Sequence, residues 1–135
     1  MTAKKTILCV DDEQSLSIQR LTLETRGYRV VTCNTAGEAM HILGFGSVNL
    51  VLSSIDLPDA SATEMVSLIK AYSQELPVIL LSSRMSAFHT DAPADLLLRK
   101  GAYAPAELLE RIRLLLMKRR GPRPAVPSQR RASAC

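Results

Sequence analysis

Four places in the sequence carry side chains able to do chemistry, and each follows a short apolar run. Asp11 and Asp12 come after Thr6–Val10 (TILCV), and Ser53 and Ser54 close the run Val48 to Leu52. Ser82 follows Pro77 to Leu81 (PVILL), and Lys100 comes just beyond Leu96 to Leu98. Adjacent carboxylates repel each other unless a cation is present, and a hard, oxygen-seeking ion such as Mg²⁺ suits them. They could equally serve as acids for the first turn of a following helix. The residues alone leave both uses open. A serine hydroxyl at the end of a run is neutral and needs an adjacent base to become a nucleophile. His41 and His89 stand elsewhere, too few and too far apart to suggest a metal site.

These side chains can meet only if the runs that carry them are neighbouring strands. Helical patterns separate the runs. Leu16, Ile18, Leu21 and Leu23 recur among polar residues as in an amphipathic helix, which Gly27 stops. Tyr28 to Cys33 (YRVVTC) is β-branched and aromatic, hence a strand. Asn34 or Thr35 can cap a helix from Ala36 to about Leu43, closed by Gly44 and Gly46. Asn49 to Ser53 is the next strand, and Thr63 to Ala71 the next helix, with Met65, Leu68 and Ile69 as its apolar face. Pro105 opens a last helix to about Lys118, with Leu108, Leu109, Ile112, Leu115 and Leu116 inward. Residues 83 to 93 show no clear period. Five apolar strands alternating with helices predict an α/β fold, a parallel sheet covered on both faces with its site at the carboxyl ends of the strands.

The composition agrees with one globular domain. The chain has 135 residues, 47% of them apolar and 22% charged, enough for a core without disulfides or metal. No apolar run approaches the ~18 residues that span a bilayer, and the run after Lys4 and Lys5 is too short for a signal peptide. A cytoplasmic protein without membrane partners is expected. Cys9, Cys33 and Cys135 have no metal-type spacing and read as thiols in a reducing compartment. The net charge of +4 is uneven: residues 118 to 135 hold six bases and no acid, leaving the rest of the chain at −2. A domain over residues 1–118 and a basic, proline-containing flexible tail over 119–135 are therefore expected. Nucleic-acid binding by the folded part is disfavoured. A tether through the tail, to nucleic acid or an acidic partner, is the reading from a different class, though the tail has no aromatic residue to stack on bases.

Taken together, "ILCVDDE", "NLVLSSIDLPDASATEM", "PVILLSS" and "LLLRKGAYAPAELLERI" resemble the receiver domain of bacterial two-component response regulators, from about Lys5 to Lys118. The resemblance implies a doubly wound, flavodoxin-like five-stranded parallel sheet of order 2-1-3-4-5 with five helices. It also implies roles for the strand-end residues. Asp11 and Asp12 match the acidic pair that helps hold Mg²⁺, and Asp56 falls where a backbone carbonyl completes the metal site. Ser54 falls at the aspartate that accepts a phosphoryl group from a histidine kinase. Ser82 matches the hydroxyl that bonds the phosphoryl group, and Lys100 matches the lysine that pairs with acceptor and phosphate.

Several positions depart from that pattern. Ser54 cannot form the acyl phosphate, and the loss of its carboxylate predicts weakened Mg²⁺ binding. Lys100 is expected to lose its ion-pair partner unless Asp56 or Asp12 turns toward it. The aromatic switch residue before the lysine is replaced by leucine, and the proline after it by Gly101. The connection from Ser82 to Lys100 is short by about one helical turn, predicting a curtailed fourth helix. The expected function is that of a pseudo-receiver: a non-enzymatic signalling protein that binds partners without aspartyl phosphorylation. The alternative is a phosphorelay receiver using Asp56, or after it Asp12, as substitute acceptor. A histidine kinase, another receiver or an output protein is the expected partner. With no room for an output domain before the chain ends, the effect is expected to pass through another molecule. The resemblance implies an interface, including a possible homodimer, on the face of the fourth helix, fifth strand and fifth helix.

Overall fold

The strands form because β-branched and leucine-rich runs of about five residues pack on both sides of a sheet. The computed structural model describes residues 4–83, 94–100 and 105–119. In chain order its elements are β1 (Thr6–Val10), α1 (Glu13–Glu24), β2 (Arg29–Cys33), α2 (Ala36–Leu43), β3 (Leu50–Ser54), α3 (Ala62–Tyr72), β4 (Val78–Ser82), β5 (Leu96–Arg99) and α4 (Pro105–Arg119). The sheet is parallel, with order β2-β1-β3-β4-β5, as expected. The curtailed fourth helix was expected between Ser82 and Lys100 and the flexible tail over 119–135; residues 84–93 and 120–135 lie outside the described residues, and Arg119 ends α4.

Two cores result from the two-residue alternation of each strand. Leu8, Val10, Val51, Val78 and Leu80 point to the side covered by α2 and α3. Ile7, Cys9, Leu50, Leu52, Ile79 and Leu81 point to the side covered by α1 and α4. Every residue of β1, β3 and β4 is buried, so no alternation survives in polarity and the runs read as continuous. Cys9 and Cys33 are free thiols in opposite cores, and burial raises the first to about 12 and the second to about 11.

Local signals set the helix ends. Thr35 rather than Asn34 caps α2, and Ser61 with Glu64 forms a reciprocal capping box on α3. Gly27, at φ +91°, makes the left-handed turn after α1 that other residues enter only at a cost. The inward faces of two helices depart from the apolar spacing. Ile18 and Leu21 are 64% and 68% exposed; the inner face of α1 is Leu16, Gln19 and Leu23. On α3, Leu68 is exposed and Val66 takes its place inside with Met65 and Ile69. In both helices the apolar residues outnumber the inward positions, so composition alone could not say which turn outward. Among the described residues no helix is long and apolar enough to cross a membrane.

Candidate functional site at the carboxyl edge of the sheet

The parallel register brings the expected side chains to one edge. β1 lies beside β3, β3 beside β4 and β4 beside β5, with Ser54 level with Leu81 and Ser82 level with Arg99. The Ile55 N–H continues the ladder to the Leu81 carbonyl at 3.0 Å, and the Lys100 N–H reaches the Ser82 carbonyl at 2.6 Å. Asp11, Ser54, Ser82 and Lys100 therefore follow one another across a single rim.

The two aspartates have separate tasks. Asp12 is exposed and turns along the chain, accepting the Ser15 N–H at 2.8 Å as the N-cap of α1. That bond, the largest influence, holds its carboxyl below the usual carboxylate range. Asp11 turns inward and is buried, with 3% of its surface exposed. Its Oδ1 accepts the Asp12 N–H at 2.8 Å and its Oδ2 accepts the Gln19 amide at 3.1 Å. The Lys100 ammonium stands 2.9 Å from each of these oxygens and also donates to Ser15 Oγ at 3.3 Å. The Asn34 amide, at the end of β2, donates to the Asp11 carbonyl at 3.0 Å. Of the two uses open to the acidic pair, helix capping belongs to Asp12 and charge pairing to Asp11.

The Lys100 pair corrects one expectation. Its ion-pair partner is neither Asp56 nor Asp12 but Asp11, the nearer of the two strand-end acids to the sheet core. Two-residue alternation turns successive side chains to opposite sides, so only one of an adjacent acidic pair can face β5.

Ser54 is 4% exposed and Ser53 wholly buried. The Ser54 hydroxyl oxygen accepts the Asp56 N–H at 3.0 Å, and the Ser53 hydroxyl donates to the Ser54 carbonyl at 2.9 Å. Both hydroxyls thus fasten the turn that leaves β3, a local use characteristic of serine. Ser82 is wholly buried, and Asp56 is exposed beyond the turn.

Sequence reasoning gave no role at the site to Gln19, Ser15, Asn34 or Asp59. Gln19 carried a usable signal: a polar residue three after Leu16 and four before Leu23, on the buried face of α1. Asp59 reaches across to α2, accepting the Ala36 N–H at 2.8 Å and the Gly37 N–H at 3.0 Å. Nothing local to residue 59 announces a contact with a helix 22 residues earlier. It ties the loop after β3 to an unsatisfied helix N-terminus. The Ala36 N–H, then that of Gly37, lowers the Asp59 carboxyl from its ordinary 3.8. A depressed folded value stabilises above the unfolded value, and the gain is lost as pH falls through the folded one. Asp59→Asn should therefore lower the urea midpoint at neutral pH and flatten the acid limb below about pH 4. Parallel acid limbs for the two proteins would refute this.

The sequence matches the profile of the response regulator receiver domain over residues 7–113. The chain belongs to this family. Among curated receiver proteins it is 31% identical over 112 residues to the transcriptional regulatory protein KdpE of Mycobacterium tuberculosis, covering 79% of this chain and 49% of that protein. It is 31% identical over 118 residues to the response regulator MprA of Mycobacterium leprae, covering 83% and 51%. The chain thus spans about half the length of these relatives. A receiver domain protein from Methanospirillum hungatei superposes with a TM-score of 0.78 at 31% identity, over 87% of this chain and 98% of that one. The response regulator TrrA of Thermotoga maritima, solved in complex with Mg²⁺–BeF, gives 0.75 at 27% identity, over 82% and 98%.

The family implies a Mg²⁺ ion at this edge, and the donors present here fit it poorly. The buried carboxylate already holds an ammonium, the second acid caps a helix, and position 54 offers a neutral hydroxyl. Among the described residues no group of three His, Cys, Asp or Glu side chains could hold a metal ion.

Proposed function

We propose that this receiver domain works in two-component signalling as a pseudo-receiver, acting through protein partners without aspartyl phosphorylation. One observation carries the reading: at the end of β3, where the family's acceptor carboxylate stands, Ser54 Oγ is committed to the Asp56 N–H. A neutral hydroxyl with no adjacent general base is not an activated nucleophile. Among the described residues no histidine base stands at this edge: His41 lies on α2, edge-on to Phe45 with ring centres 5.2 Å apart, and His89 falls outside the described residues.

The partner is a histidine kinase, another receiver or an output protein in the cytoplasm. It docks on the side of the last helix, where Leu114 and Met117 on α4 are 46% and 52% exposed. The same face would serve a homodimer.

The test is intact-mass measurement of the full chain after incubation with Mg²⁺ and acetyl phosphate, then with a phosphorylated histidine kinase. The expected mass is unchanged. A stoichiometric phosphoryl adduct would overturn the proposal, and its mapping to Asp56 or Asp12 would establish the substitute acceptor instead.

A further inference from the structure

Mg²⁺ in a receiver site neutralises carboxylates clustered at the strand ends. Here the cluster is reduced to one buried acid, and that acid is already neutralised. Asp11 is the only buried carboxylate among the described residues, and both of its oxygens lie 2.9 Å from the Lys100 ammonium. An ammonium straddling a carboxylate in this way occupies the ground that a cation would take.

Gln19 adds an independent observation. Its place on the inner face of α1, between Leu16 and Leu23, asks for an apolar side chain. Instead an amide is buried there, and its Oε1 is without a hydrogen-bond partner. Leaving a buried acceptor unpaired is unfavourable, and leucine at the same place would avoid it. What the glutamine supplies is its Nε2–H on Asp11 Oδ2. The group is thus built around the Asp11 anion: an ammonium on both oxygens, a backbone N–H on one and a buried amide on the other.

We infer that the strand-end site is metal-independent, with Lys100 as its permanent cation and Gln19 as a positioning residue that holds Asp11 toward it. The inference rests on the receiver reading of this edge, not on the absence of phosphorylation at position 54. For Mg²⁺ to bind, it would have to displace the ammonium and strip Asp11 of its amide donor, while Asp12 is engaged in capping α1.

Paramagnetic Mn²⁺, followed by amide NMR line broadening on the full chain, is the probe, with Mg²⁺ as competitor. In the unmodified protein, millimolar Mn²⁺ should leave the Asp11, Asp12 and Ile55 amides unbroadened, and Mg²⁺ should not change the melting temperature. In Lys100→Met the edge should gain a site: selective broadening there, reversed by Mg²⁺. The affinity gain should reach about 10-fold or more, the scale on which groups bordering a metal site act. Lys100→Gln is the second variant if the first does not fold. Saturable broadening of Asp11 in the unmodified protein would overturn the inference, as would a folded Lys100 variant that gains no binding. An unchanged mass with acetyl phosphate, alongside Mn²⁺ binding in the unmodified protein, would sink this inference and leave the reading of Ser54 standing.

Discussion

Replacing Asp11 by alanine should lower the free energy of unfolding by about 3 kcal/mol. The Lys100 side chain is only 24% exposed, and its ammonium loses both oxygens that it straddles. The Gln19 amide and the Asp12 N–H lose their acceptor in the same step. Breaking one side of a buried pair usually costs more than the pair contributes, because the remaining charge stays desolvated. Asp11→Asn keeps the shape and one acceptor oxygen, so it should cost about half as much. The measurement is the urea midpoint, with the slope unchanged. The double variant Asp11→Ala/Lys100→Met should be less destabilised than the sum of the two singles by about 1–2 kcal/mol, since the second change removes the stranded charge. A loss below about 1 kcal/mol for Asp11→Ala would mean that Lys100 is solvated and that the pair does not hold the edge together.

A loss of similar size is expected far from the site. Ile112 is wholly buried on α4 and packs with Leu108 and Leu116 into the core shared with α1. Ile112→Ala removes three carbons and leaves a cavity, at a cost of about 3–4 kcal/mol, while Ile112→Val should cost about 1 kcal/mol. Leu114, on the exposed side of the same helix, behaves oppositely: Leu114→Ser should change stability by no more than about 0.5 kcal/mol. If α4 is the docking side, that exposed change should weaken partner binding while the protein stays folded. Equal losses of stability at 112 and 114 would show that the helix is packed differently from this arrangement.

The order of elements was legible because it rests on local physics. Apolar runs of about five residues, glycines after helices, and serine or threonine before them mark strands and helix ends without knowledge of the rest of the chain. Strand limits shifted by only a residue: Asn49 to Ser53 became Leu50–Ser54, and Leu96 to Leu98 became Leu96–Arg99. Helix faces were less legible. Ile18, Leu21 and Leu68 are apolar yet exposed, while Gln19 is polar yet buried, because a site partner outweighed the helical pattern.

By itself the sequence determined that hydroxyls, an acidic pair and a lysine follow short apolar strands, and that position 54 carries a hydroxyl rather than a carboxylate. Only the tertiary structure decided what each of them holds. Asp12 caps its own helix, Asp59 caps another, and Asp11 alone turns toward Lys100, 89 residues away in the chain. Local patterns report which residues can carry charge. The partner of a charge depends on which strands lie side by side and on which way alternation turns each side chain, and both are settled only when the sheet is assembled.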